Sequence, residues 1–223
     1  MNMKQPPGTD AARHGAGQVD LTVMIAAHNA FRRDLLKLTA TASRRNLRDP
    51  VQRLATGNGW ETFKRQLLRH HTAEDACLWP PLRERLADSA AAQSVLEAME
   101  EEHGRIDPLL AAVDQAFADD RLADGHLADV ISELTSALTF HLTHEERDTL
   151  PLIGQTLTVA EWADVMAATR ARGSVTDAVE MIPWLLHGQP GEEARIVLAA
   201  FPPVAAQRYA ADWKPAYEAI PRW

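Results

Sequence analysis

The sequence predicts an all-α protein, an up-down-up-down four-helix bundle followed by a C-terminal helical extension. Three observations predict it. Four segments repeat apolar residues in steps of three and four, the spacing that keeps side chains on one helical stripe. The Val/Ile/Thr alternation of strands is nearly absent. Short links separate the four segments, which favours antiparallel neighbours.

The first stripe is Leu21, Met24, His28, Phe31, Leu35 and Leu38. It ends near Arg44 to Pro50, where Asp49-Pro50 disfavours further helix. The second is Trp60, Phe63, Leu67, His70, Glu74, Cys77 and Pro81, with Pro80 and Pro81 expected to end or kink the helix. The third runs Leu96, Met99, His103, Ile106, Leu110, Val113 and Phe117, and Pro108 inside it predicts a bend. The fourth runs Leu127, Ile131, Leu134, Leu138, His141, Glu145, Asp148 and Leu152.

These segments place the bundle over residues 19–155, between an N-terminal tail of residues 1–18 and an extension of residues 156–223. The tail is rich in Gly, Pro, Asp and Ala and lacks an apolar h-region, so it reads as flexible and not as a signal peptide. In the extension, Thr158-x-x-Glu161 is a capping box, and Ser174 with Asp177 predicts another helix start. The tryptophans at 162, 184, 213 and 223 predict a cap packed on the bundle. The same segment is alternatively a homodimer surface or a lid.

The formal charge of −8, with no basic cluster, argues against nucleic acid as a partner. No apolar run approaches the roughly 18 residues of a membrane span, so no membrane partner is expected. Cys77 is the sole cysteine, which rules out an intrachain disulfide and fits a cytoplasmic protein.

The polar residues on the stripes carry the chemistry. His, Glu or Asp in a bundle core costs several kcal/mol, roughly, unless paired or coordinated. Yet every stripe carries a histidine near its middle, and two carry a glutamate one turn later. The two halves echo each other: His70 to Pro80 and His141 to Pro151 both read H-x-x-x-E-x-x-x-x-x-P. An i, i+4 pair projects both side chains from one helix face.

Four imidazoles and two carboxylates suit iron, manganese or zinc. Two ions can share them, with His28, His70, His103 and His141 as caps and Glu74 and Glu145 as bridges. An oxide or hydroxide would complete much of the shell. Each second ring nitrogen needs an outer partner, for which Glu100, Glu101, Asp34, Asp107 and Asp148 are candidates. His71 and His144 lie beside the ligands at the edge of the seam, where a solvated or interhelical role is expected and gating, proton relay or replacement of a neighbour as ligand is the alternative. Cys77 reads as a small buried hydrophobe.

Two rival sites fit less well. A ferritin-like site needs Glu-x-x-His on each of two helices. Glu100-x-x-His103 supplies one, and the seams hold no second. His144-Glu145 opens like a zinc-protease motif, but Asp148 stands where the second histidine belongs.

His28, His70-x-x-x-Glu74, His103 and His141-x-x-x-Glu145 resemble the hemerythrin or HHE cation-binding family over about residues 20–155. The segments Pro183-Trp184-Leu185-Leu186 and Trp213 to Tyr217 resemble the helical tail of a bacterial subgroup. The resemblance implies a centre of two iron ions, carboxylate- and oxo- or hydroxo-bridged, that meets O2, hydrogen peroxide or nitric oxide. The family's oxygen carriers place two histidines one turn apart on the third helix, whereas Met99 and Asp107 flank His103 here. They also use an aspartate where this chain has Glu145. A four-histidine set is leaner in nitrogen donors, which shifts the expected chemistry from O2 carriage toward peroxide or nitric oxide. The leading expectation is a catalase-like or stress-defence reaction with peroxide or a related small oxidant. The alternative is non-enzymatic binding or sensing of O2, nitric oxide or iron.

Overall fold

The computed structural model describes residues 19–44, 47–118 and 125–223, apart from the side chains of 42–44 and 175–176. The proposed tail lies outside the described residues. All regular structure among them is helical. The bundle is built from α1 (Thr22–Arg44), α2 (Pro50–Ala73), α3 (Trp79–Arg85), α4 (Ala90–Ala118), α5 (His126–His144) and α6 (Leu150–Thr156). Contacts run α1 to α2, α2 to α4, α4 to α5 and α5 back to α1, closing a four-sided bundle.

Local chemistry sets several boundaries. Asp49 accepts a hydrogen bond from the Val51 backbone N–H at 3.0 Å, and Pro50 occupies the first helical position, where its missing N–H is not needed. The predicted capping box is formed in full, with Thr158 and Glu161 bonding each other's backbone at the start of α7 (Val159–Arg172). Ser174 and Asp177 do the same for α8 (Val175–Leu186). Short helices α9 (Gly191–Ala199), α10 (Pro203–Arg208) and α11 (Lys214–Glu218) complete the chain.

The prolines lie within helical runs, and the second stripe changes its helix type just before Pro80. The second stripe neither ends nor breaks at Pro80. Residues Glu74–Leu78 form one π-helical turn, and the helix then continues as α3 to Arg85. The Trp79 N–H reaches back five residues to the Glu74 carbonyl. That extra residue moves the Pro80 ring clear of the carbonyl it would otherwise strike, and Pro80 has no N–H to lose. The echo repeats this: Glu145–Thr149 form a π turn, the Leu150 N–H bonds the Glu145 carbonyl, and Pro151 follows. A third π turn, Tyr209–Trp213, stands in the same relation to Pro215. By contrast, α4 continues as α-helix through Pro108.

The apolar core falls into two clusters. One holds Phe31, Leu35, Leu67, Ile106, Leu138 and Leu142 and extends into the C-terminal helices through Trp184, Leu185 and Tyr217. The other holds Cys77, Trp79, Leu96, Met99, Leu150 and Trp162. Between them, along all four bundle helices, lie the histidines and glutamates. Trp184 packs on Phe31 with centroids 4.9 Å apart and donates its indole N–H to Asp34 at 2.8 Å. No helix among the described residues is long and apolar enough to cross a membrane.

Candidate metal centre

Each side chain of the layer is placed by its helix. α1 contributes His28, α2 His70 and His71, the first π turn Glu74, α4 His103, α5 His141 and the second π turn Glu145. Both glutamates are the first residues of their π turns. His28, His141 and Glu145 are fully buried, and Glu74, His71 and His103 nearly so. His70 keeps 12% of its side chain exposed, so solvent reaches the layer beside it.

The donors fall into two groups. In one, His28, His70, Glu74 and Glu145 each present an atom within 4.8 Å of the others. The His28 and His70 Nε2 atoms are 3.2 Å apart. His28 Nε2 lies 3.2 Å from Glu145 Oε2, and His70 Nε2 lies 3.1 Å from Glu74 Oε1. In the other group, His71, His103 and His141 converge in the same way. The carboxylates reach toward it as well: Glu74 Oε2 is 3.5 Å from His103 Nε2, and Glu145 Oε2 is 3.9 Å from His141 Nε2.

All six residues picked out by the spacing therefore share one layer, and a seventh joins them. His71 is not a solvated edge residue; it is more buried than His70 and stacks on His103. Residues one apart on a helix point about 100° apart, and a bundle-facing stripe can be wider than that. The layer thus gathers five imidazoles, one more than the stripe spacing picks out. The signal in the sequence was the adjacent His70-His71 pair on a seam.

The outer partners also differ from the candidates. His28 Nδ1 donates to Glu146 Oε1 at 2.9 Å, His103 Nδ1 to Asp75 Oδ1 at 2.9 Å, and His141 Nδ1 to Glu102 Oε2 at 3.0 Å. Asp75 and Glu146 each directly follow a layer glutamate, so this too belongs to the internal echo. The five expected carboxylates are employed or placed elsewhere. Asp34 takes Trp184 and Arg33, Glu100 pairs with Arg83, and Glu101 pairs with Arg105. Asp148 pairs with Arg147 and His144, and Asp107 is exposed. An Nδ1–H held by a carboxylate leaves Nε2 as the free lone pair, aimed inward.

Hydrogen bonding does not satisfy the layer. Among the described residues, both ring nitrogens of His71, both oxygens of Glu74 and of Glu145, and Nε2 of His103 and His141 are buried without a partner. The short His–Glu approaches are close enough for electrostatic attraction but lack hydrogen-bond direction. Each unsatisfied buried polar atom costs about 1–3 kcal/mol. Cations between these atoms would remove that cost, and imidazole with carboxylate suits transition-metal ions.

Without cations, the charges sort themselves unevenly. Burial pushes the His28 ring toward its neutral form, but the carboxylates of Glu145 and Glu146 outweigh it and raise its pKa to about 9. Burial likewise pushes Glu145 up, but the His28 charge beside it holds its pKa at about 2. Burial, with Glu145 and Asp75 nearby, drives Glu74 well above the usual carboxylate range. Burial keeps His70 and His71 well below the usual imidazole range, helped by neighbouring histidines. Such neutral rings are ready to ligate.

A helical bundle whose core carries two cation-sized groups of imidazoles and carboxylates defines a metal-binding helical protein. Residues 13–153 match the family model described as the hemerythrin HHE cation binding domain. The chain belongs to that family. No curated protein and no solved structure matches it significantly.

Proposed function

We propose that the layer holds two iron ions and that the protein reacts with hydrogen peroxide or a related small oxidant, as a catalase-like or stress-defence activity. One observation carries the two-ion reading. Glu74 and Glu145 lie buried between two groups of imidazoles with no hydrogen-bond partner on any of their four oxygens. His28, His70, Glu74, Glu145, His71, His103 and His141 would hold the ions. Bound iron supplies Lewis acidity and redox chemistry.

The fifth imidazole removes the argument from a lean nitrogen shell. What favours peroxide over reversible O2 carriage is a hydrogen-bonded path. His141 Nδ1 bonds Glu102 Oε2, Glu102 Oε1 accepts from His144 Nδ1 at 2.7 Å, and His144 Nε2 lies 3.2 Å from Asp148 Oδ2. It leads from the buried layer to the surface. Dismutation of two peroxide molecules to O2 and two waters moves protons, and such a path can carry them.

A cytoplasmic setting agrees with the single, buried Cys77. A homodimer through the extension belongs to the same reading and is checked by the mass in solution. The test of function is peroxide consumption with O2 release by iron-loaded protein, abolished by His103→Ala or Glu145→Ala. Iron-replete protein that forms stable O2 or nitric oxide adducts without turnover belongs instead with binders and sensors.

A further inference from the structure

A second concave site lies away from the metal layer. Lys37 follows His28 by nine residues on α1, which is about 13 Å along the helix. There a cavity of about 260 Å³ is lined by Lys37, His187, Tyr217, Glu218, Arg222 and Trp223, among others.

Its cations are poorly compensated. Lys37 is half-buried and makes no ion pair among the described residues. The nearby carboxylate of Asp34 is committed, accepting from Arg33 Nε and from the Trp184 indole, both at 2.8 Å. Arg222 has no carboxylate partner within ion-pair distance among the described residues. Its donors go to Thr62 Oγ1 at 3.2 Å and to the carbonyls of Tyr217 and Ile220, and its guanidinium lies 3.7 Å from the Tyr217 ring centroid. Glu218 also lines the cavity, with Lys214 as its ion-pair partner at 4.0 Å. Burial lowers the Lys37 pKa, opposed by Asp34 and aided by Arg33 and Arg222; burial, Lys37 and Arg33 lower that of His187 against Asp34 and Glu218. Burial pushes Tyr217 up to about 12, which keeps its hydroxyl a donor.

The wall opposite α1 is pinned. The Trp223 N–H bonds the Ala55 carbonyl at 3.0 Å, Asn58 donates to the Pro221 carbonyl at 3.1 Å, and the Trp223 ring lies against Gly59. The cavity is therefore built by tertiary contacts and is smaller than the roughly 300–1,000 Å³ typical of drug-sized sites. Two crowded cations in a partly enclosed, aromatic-walled space are stabilised by an anion that accepts charge-assisted hydrogen bonds.

We propose that this cavity binds a small oxyanion, phosphate or carboxylate, through Lys37 Nζ and the Arg222 guanidinium, with the Tyr217 hydroxyl as a further donor. Titration calorimetry of the metal-loaded protein with inorganic phosphate and, separately, succinate tests it. Saturable binding of either probe is expected, and the tighter one tells phosphate from carboxylate. Lys37→Met and Arg222→Gln should each weaken binding about tenfold, since one charged hydrogen bond is lost. Lys37→Arg should retain it, and metal content and visible spectrum should stay unchanged in all three. Absence of saturable binding overturns the proposal. So does binding that both Lys37→Met and Arg222→Gln leave intact, because the metal centre would then be the acceptor.

Discussion

The His71 ring stacks on His103, with centroids 3.9 Å apart and planes 10° from parallel, and neither of its nitrogens has a hydrogen-bond partner. A core histidine of purely structural use would spend those nitrogens on neighbours. His71→Ala is therefore expected to lower the metal content from about two ions per chain toward one, because the three-histidine group loses a donor. Metal analysis of purified variant and parent checks this. Unchanged stoichiometry would reduce His71 to packing.

Removing the metal should destabilise the fold, because the orphaned atoms of Glu74, Glu145, His71, His103 and His141 then stay buried and unpaired. For an ion at about a hundred times its dissociation constant, linkage gives about 2.7 kcal/mol. In a chain of this size that corresponds to a melting temperature lower by roughly 5–10 °C. Calorimetry before and after chelation measures it, and coincident curves would show that the layer is empty in the folded protein.

Metal binding should depend on pH through His28. In the metal-free protein its pKa is raised to about 9, so at pH 7 the ring carries a proton that an incoming cation must displace. Affinity should rise with pH up to about 9 and then level. Below that, loading should release about one proton from His28, with Glu74 adding to it. Calorimetry in buffers of different ionisation enthalpy counts the protons. The sign for folding is separate: a folded pKa above the ordinary 6.5 stabilises the metal-free protein fully below 6.5, and this share is lost as pH rises through about 9.

Glu102 joins His141 to His144, and its pKa lies below the usual range because burial is outweighed by its hydrogen bonds to those two rings. Glu102→Gln keeps the shape but removes the charge. Loss of an outer-shell partner lowers metal affinity or activity by about 10–100-fold. If the path through His144 carries protons, His144→Phe should slow peroxide turnover while leaving metal content unchanged. Equal turnover in parent and variant would leave Glu102 as an orienting group alone.

Gly57 and Gly59 give opposite expectations from neighbouring positions of α2. A Cβ at Gly57 meets nothing within 4 Å, so Gly57→Ala should stabilise by about 1 kcal/mol through helix propensity. A Cβ at Gly59 would fall 2.5 Å from the Trp223 ring. Gly59→Ala should therefore cost about 1–3 kcal/mol in overpacking, against the same propensity gain, and free Trp223 for proteolysis. Thermal unfolding of the pair, with limited digestion, separates them.

Much of the fold was readable in one dimension. Buried Phe31, Leu67, Met99 and Leu138 lie where the three-and-four spacing places them, because helical periodicity is a local property. The capping boxes at Thr158 and Ser174 depend on residues three apart and were equally legible. The prolines were visible but the π turns before them were not, since a π turn and a helix end begin from the same missing N–H.

By itself, the sequence determined the four helices, the layer of His28, His70, Glu74, His103, His141 and Glu145, and the echo that relates its halves. Only the tertiary structure decided that His71 turns inward, that Asp75, Glu102 and Glu146 hold the outer ring nitrogens, and that Lys37 and Arg222 line one cavity. Those outcomes depend on how separate helices face one another, and a stripe along one helix carries no record of what stands opposite.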